Sequence, residues 1–216
     1  MRINKYVALA TGLSRRAADK AIRANRVKIN GMTAVLGSEV KPTDQVAVDG
    51  TSINTEETVT ILLNKPVGYV CSRNGQGSKT VYDLLPEKYH SLKTVGRLDR
   101  DSSGLILLTN DGDLANKLTH PKYEKEKTYQ VKLNKPLSQA DKNKLLTGVE
   151  LEDGLSKFIK VNDSSDGTLE IIMSEGRNRQ IRRSLDMLDY QVESLHRISF
   201  GPYRLENLSL GKFIPV

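Results

Sequence analysis

The 216-residue sequence predicts an α+β chain in two parts. A small basic α/β module comes first, and a larger domain on a mixed, mainly antiparallel sheet follows. Three observations predict this. Segments with strand and helix periods are interleaved without the strict alternation of a doubly wound fold. The polar stretch "DGTSINTEET", residues 49–58, has no hydrophobic period and separates two regions of different composition. The charge is also uneven: residues 1–31 hold eight lysines and arginines against Asp19 alone, so they carry the whole net excess of +7. The resulting boundaries are 1–48 for the first module, 49–58 for a linker and 59–216 for the second domain.

In the first module, Ile3, Tyr6, Val7 and Ala10 follow the spacing of an amphipathic helix, which Thr11-Gly12 ends. Ser14 is placed to cap a second helix over residues 15–25. On that helix Ala18, Ala21 and Ile22 face inward, while Arg16, Lys20 and Arg23 share another face about one turn apart. "RVKINGMTA" then alternates around Asn30-Gly31, a two-residue hairpin turn. Concentrated cations, with Arg15, Arg26 and Lys28 beside the helical set, point to a polyanionic partner such as nucleic acid.

In the second domain, "VTILLNKPVGYVCS" offers two strands around a Lys65-Pro66 turn, and "TVYDLL" a short helix. "LILLT" is a buried strand, "DGDLANKL" a helix opening at an acidic turn, and "EKTYQVKL" an alternating strand. "SQADKNKLLTGV" reads as a helix, "TLEIIMS" as a strand, "NRQIRRSLDMLDY" as a basic helix and "QVESLHRISF" as a last strand.

Several classes drop out. Cys71 is the single cysteine, so no intrachain disulfide or thiolate metal cluster is expected. His90, His120 and His196 lack ligand spacing, and no metal site is expected. "NGQGSKT", residues 74–80, lacks phosphate-loop spacing and reads as a hairpin tip. The basic start has no small-residue cleavage site, and no segment approaches a membrane span, so the expectation is a cytoplasmic protein without a membrane partner.

Two charged clusters remain: "GRLDRDSSGLILLTNDGDLANKL" at 96–118 and "SEGRNRQIRRSLDML" at 174–188. By residue chemistry alone, Asp99 and Asp101 are equally a reactive pair or surface ion-pair partners of the adjacent arginines. The arginines at 179, 182 and 183 could equally meet RNA phosphates or solvent.

The motifs decide between these readings. "INKYVALATGLSRRAADKAIRANRVKINGMTAVLGSEVKP" resembles the alpha-L RNA-binding fold named after ribosomal small-subunit protein four. "LNKPVGYVCS", "GRLDRDSSGLILLTNDGDLANKL", "EKTYQV", "EGRNRQIRR" and "V.SLHRISFG" occur in the order of the RsuA/RluB-type ribosomal RNA pseudouridine synthases, and together the resemblances cover nearly the whole chain. "KTVYDLLP", "GDLANKLTHP" and "GVELEDG" lean toward the RluB side, which implies large-subunit 23S rRNA as substrate. A small-subunit 16S rRNA enzyme and a non-catalytic rRNA-binding assembly factor are the alternatives.

The resemblance implies a role for each matching position. Asp99 would be the catalytic carboxylate, Tyr129 would stack on the target base and take part in proton removal, and Arg182 would pair with Asp99. Leu195 would line the substrate pocket, with Arg97, Arg177 and Arg179 as further substrate contacts. Arg15, Arg16, Lys20, Arg23 and Lys28 would hold RNA. A carboxylate acting on sugar or base must be ionised, and an adjacent guanidinium favours that form. The isomerisation has no redox step, so no cofactor is implied. The implied partner is ribosomal RNA, free or within an assembling subunit, acted on by a monomer. The sequence departs from the family pattern at Ser102, often threonine, at Ser184, commonly methionine, and at "GKFIPV", where relatives continue into an arginine-containing tail.

Overall fold

The computed structural model describes residues 1–55, 57–75 and 77–216; Glu56 of the expected linker and Gln76 of the "NGQGSKT" tip lie outside the described residues. The chain divides into two compact units, Met1–Thr58 and Val59–Val216.

The first unit packs helices α1 (Ile3–Thr11) and α2 (Arg15–Arg23) with an antiparallel sheet of β1 (Val27–Ile29), β2 (Met32–Thr33), β3 (Val46–Val48) and β4 (Thr51–Ile53), in the order β2-β1-β3-β4. Its core is Ile3, Val7, Ala18, Ile22, Val27 and Val46. Gly12 at φ +72° stops α1, and the Ser14 hydroxyl accepts from the Ala17 N–H at 3.1 Å to start α2. The second helix ends two residues earlier than expected, because Asn25 turns left-handed at φ +57°.

The expected linker 49–58 needs correction, since its first half is folded. Asp49 and Gly50, both at positive φ (+52° and +81°), make a two-residue hairpin turn, and β4 pairs with β3. Arg26 forms an ion pair with Asp49, and the Tyr6 hydroxyl donates to the Ile53 carbonyl at 3.2 Å. Arg26 is therefore a structural cation of this turn, although its charge alone grouped it with the polyanion-facing set.

The second unit contains β5 (Thr60–Lys65), β6 (Lys93–Thr94), β7 (Ser103–Thr109), α3 (Gly112–Thr119), β8 (Lys127–Leu133), α4 (Gln139–Thr147), β9 (Val149–Leu151), β10 (Gly154–Ser156), β11 (Lys160–Asp163), β12 (Leu169–Met173), α5 (Gln180–Asp186), β13 (Val192–Phe200), β14 (Tyr203–Arg204) and β15 (Phe213–Pro215). Among the described residues, nine of these strands form one sheet in the order β11-β12-β8-β13-β7-β5-β15, with β14 on β13 and β6 on β7. Every pairing in it is antiparallel except β13 with β7. β9 and β10 make a separate hairpin. Among the described residues, no helix is long and apolar enough to cross a membrane.

The unbroken "LILL" run has a simple cause. β7 is central and covered on both faces: Ile106 and Leu108 join the core with Tyr129 and Val131, while Leu105 and Leu107 join Leu62, Leu118 and Phe200 on the other side. Two expectations fail nearby. "VGYVCS" is a loop, not a second strand, because it curls around the fully buried Lys65 ammonium, which donates to the carbonyls of Pro66 (3.0 Å) and Tyr69 (2.9 Å). The basic helix is only seven residues long, bounded by left-handed Arg179 (φ +46°) and Asp189 (φ +63°). Within "GKFIPV", β15 is an edge strand paired with β5.

The parallel seam between β13 and β7 spans two registers, His196 opposite Ser103 and Arg197 opposite Gly104. Gly104 sits at φ +107°, and a Cβ there would lie 2.3 Å from the Arg197 carbonyl oxygen and 2.5 Å from its nitrogen. Gly104→Ala is expected to lower unfolding free energy by about 1–3 kcal/mol from backbone strain alone, with the clash adding to it. Denaturant unfolding of the two proteins measures this.

Candidate active site

The loop Gly96–Ser102 runs into β7 at that seam. Three bonds fix it: Leu98 N–H meets the Cys71 sulfur at 3.4 Å, Ser102 N–H donates to the Asp99 carbonyl at 3.1 Å, and the Arg100 carbonyl accepts from Gly68 N–H at 2.7 Å. Leu98 is buried as the loop's apolar anchor. Asp99 thereby stands half-buried on the wall of a cleft of about 860 Å³.

Tyr129 reaches this cleft from β8, where strand alternation puts Lys127, Tyr129 and Val131 on the inward face. Leu195 and Arg197 come from β13, and Arg197 lies directly opposite Tyr129 in the ladder. Of the residues expected at the site, Asp99, Tyr129, Leu195, Arg97, Arg177 and Arg179 all line this one cleft. Arg97 is exposed at its mouth.

The arginine expectations divide. Arg182 does not pair with Asp99. Its guanidinium donates to the carbonyls of Asp101 (2.9 Å) and Val192 (2.9 Å), and its Nε lies 3.4 Å from the Asp101 carboxylate. The reason is positional: Arg182 lies in the first turn of α5 and bridges Asp101 to the start of β13. Arg179 comes nearer to Asp99, at 3.8 Å, while it donates to both Asp101 oxygens at 3.0 Å. Arg177 is held by Asp153 and by the carbonyls of Asp153, Gly154 and Leu155, so it ties the β9–β10 hairpin to the cleft wall. Arg183 makes a two-pronged pair with the same Asp153, and this holds the Asp153 carboxyl below the usual carboxylate range.

Two buried cations of the cleft are not among the residues expected there. Lys127 is nearly enclosed, and its ammonium donates to the carbonyls of Lys125 (3.3 Å), Ser174 (3.0 Å) and Glu175 (3.1 Å). Arg197 is 3 % exposed. Both sit over the Phe200 ring, at 5.3 and 4.9 Å from its centroid. Burial, then repulsion from Arg197, pushes the Lys127 ammonium down to about 8. The signal was available in the pattern: in "KTYQV" and "LHR" a cation occupies the inward phase of a buried strand. In the first unit, Arg15, Arg16, Lys20, Arg23 and Lys28 are all exposed.

Comparison with known proteins gives a consistent result. Residues 59–186 match the RNA pseudouridylate synthase family and residues 1–58 match the S4 domain. The chain is 38% identical to an uncharacterized RNA pseudouridine synthase of Aquifex aeolicus, covering 99% of this chain and 89% of that protein. It is 37% identical to ribosomal large subunit pseudouridine synthase B of Bacillus subtilis, covering 97% and 89%. It is 36% identical to the dual-specificity RNA pseudouridine synthase RluF of Escherichia coli, covering 99% and 74%. A crystal structure of a pseudouridylate synthase superposes with a TM-score of 0.71 at 33% identity, covering 100% of this chain and 96% of that one.

The lysine geometry has a direct readout. In lysine-selective NMR, one side chain is expected to titrate near pH 8, and Lys127→Met should remove that signal. Arg197→Gln should move it upward, because the repelling neighbour is gone. The folded value lies below the unfolded one, which is about 10.4, so between those pH values the unfolded chain binds more protons. This group's contribution to stability therefore grows as pH rises through that window. An unchanged titration in Arg197→Gln would contradict the proximity of the two cations.

Proposed function

Because the chain belongs to the RNA pseudouridylate synthase family, with an S4 domain ahead of the catalytic unit, we propose that it converts a uridine of large-subunit, 23S ribosomal RNA to pseudouridine. The observation that carries this reading is the meeting of Asp99 and Tyr129 in one cleft, one on the loop that enters β7 and one on β8. The large-subunit assignment is supported by similarity over nearly the whole of this chain to enzymes named for that subunit.

The reaction breaks the bond from uracil N1 to ribose C1′, turns the base, joins C5 to C1′, releases the C5 proton and leaves a proton on N1. Asp99 is the carboxylate that acts on sugar or base. It stands on a loop fixed by backbone bonds, and its long contact to Arg179 leaves its oxygens accessible. Tyr129 offers a stacking face to a base unstacked from the RNA, and its hydroxyl takes part in removing the C5 proton. Leu195 lines the same pocket from the neighbouring strand. Arg179 and Arg182 are positioning residues that hold Asp101 and, through it, the loop. Arg97 meets the RNA backbone at the cleft mouth. The exposed α2 face supplies a grip that is independent of sequence.

Mapping pseudouridines in rRNA from cells with and without the gene tests the assignment. One large-subunit pseudouridine should vanish, return with the wild-type gene and stay absent with Asp99→Asn, since an amide is neither nucleophile nor base. Loss of a small-subunit position would redirect the target, and restoration by Asp99→Asn would remove Asp99 from the chemistry.

The RNA grip has a separate test. Changing Arg16, Lys20 and Arg23 together to Gln should flatten the slope of log affinity against log salt by about 2–3 units, at roughly 0.7–0.9 for each phosphate no longer neutralised. Titration of rRNA fragments at several salt concentrations measures this. Equal slopes would mean that this face does not meet phosphate.

A further inference from the structure

Arg197 has a hydrogen-bonding capacity that the protein itself does not use. Its Nε donates to the Leu105 carbonyl at 2.8 Å, and its guanidinium lies against the Phe200 ring. Its Nη2 is buried and has no hydrogen-bond partner, and among the described residues no carboxylate pairs with it. A second polar atom of the same cleft, Ser102 Oγ, is likewise buried and without a partner. Buried donors on a permanent cation are ordinarily satisfied, because an open one loses its hydration and gains nothing in its place. Both atoms belong to residues that line the cleft.

Apart from Arg97, which is exposed at the mouth, the other cations around the cleft are engaged with protein groups. Arg177 and Arg183 are bound to Asp153, Arg179 and Arg182 to Asp101, and Lys127 directs its three donors at three carbonyls. The Nε atoms of Arg177 and Arg182 are also buried without a hydrogen bond, but each faces a carboxylate, Glu175 at 3.1 Å and Asp101 at 3.4 Å. Lys127 adds positive potential but offers no free donor. Arg197 has both the charge and the free N–H.

We propose that Arg197 binds a carbonyl oxygen of the target uracil and carries the negative charge that the ring acquires when its bond to ribose breaks. This rests on the pseudouridine-forming reading. When N1–C1′ breaks, its electron pair stays on the ring and spreads over N1, C5 and the two carbonyl oxygens. The Asp99 carboxylate on the cleft wall would repel such an anion, so a fixed cation is needed to hold it in place while it turns. When C5 attacks the electron-deficient C1′, that pair becomes the new bond and leaves a neutral ring; C5 then loses its proton and N1 takes one up, which restores the conjugated uracil. Arg197 keeps its protons throughout. A preorganised donor of this kind needs no reorganisation during the reaction. Ser102 Oγ is a second donor to the same ring.

The test is single-turnover kinetics with short RNAs carrying the target uridine or 5-fluorouridine at that position. Fluorine makes the ring a better leaving group, so it depends less on outside stabilisation. The measured event is loss of the N-linked nucleoside, read by mass spectrometry after digestion. Arg197→Gln should slow the uridine RNA by about 100- to 1000-fold. The loss on the 5-fluorouridine RNA should be at least about tenfold smaller, with RNA affinity little changed. Arg197→Lys keeps a cation in the strand and serves if the glutamine variant does not fold. Its loss should again be larger on uridine than on 5-fluorouridine. Equal losses on both RNAs, in whichever variant folds, would overturn the proposal and make Arg197 a residue that only holds the seam. Failure of the wild-type protein to form pseudouridine in the uridine RNA would instead overturn the functional reading itself.

Discussion

Where β7 meets β13 there is room for a hydrogen atom and nothing larger between Gly104 and the Arg197 backbone. This close approach is the one pairing that joins β11-β12-β8-β13 to β7-β5-β15 among the described residues. It decides two things together and brings a third into place. The loop carrying Asp99 ends where β7 begins, so the seam sets the height of the carboxylate over the sheet. Arg197 is pressed against β7 and can reach the Leu105 carbonyl. Leu195 and Tyr129 share the inward face through the β8–β13 ladder, and the seam sets that face beside the Asp99 loop. A wider seam would leave these residues in the chain but not in one cleft.

The ion pairs around the cleft serve geometry more than stability. Asp101 takes Arg179 and Arg182, and Asp153 takes Arg177 and Arg183. These carboxylates are nearly half exposed, and such pairs contribute about 0–1 kcal/mol each. Their effect is to pin the segment Arg177–Arg183 at two points, on the Asp99 loop and on the β9–β10 hairpin. Arg179 is held in a left-handed conformation uncommon for a long side chain, at the junction between the two points. Because Asp101 absorbs these cations, Asp99 keeps only one contact with them, at 3.8 Å. The difference between the two aspartates is therefore one of occupancy. Asp101 is committed to structure and Asp99 is left open.

Much of this was legible in the sequence. The helical period of residues 3–10, the Ser14 cap, the Asn30-Gly31 turn, the doubly buried "LILL" strand and the mixed sheet all follow from local pattern, because each depends on neighbours within a few residues. Asp99, Tyr129 and Leu195 were reached through motif resemblance. Non-local partners were not legible. Nothing local says that Arg182 bonds the Asp101 carbonyl 81 positions away in the chain. Nor does local pattern show that Lys65 turns an apparent strand into a loop. The Asp49-Gly50 hairpin is a different kind of miss, since the turn signal was present but the polar residues after it masked a three-residue strand. Lys127 and Arg197 were passed over because charged residues in a strand are usually assigned to its wet face.

The chain thus holds two populations of cations governed by different physics. Those on α2 stand in water, where a Debye length of about 8 Å at physiological salt confines each to its near surroundings. Their strength as a group depends on number and on the counterions an RNA releases. Lys127 and Arg197 are enclosed by apolar side chains and carbonyl groups, where screening by salt is slight and a single charge acts strongly over a few ångströms. The first population suits a polyanion whose exact register is set elsewhere. The second suits a charge that exists only briefly and at one place. Burying a guanidinium with an open donor is costly in the free protein, and a substrate that completes the hydrogen bond recovers that cost at the point where the reaction makes its anion. That coupling separates a cleft that binds RNA from one that acts on it.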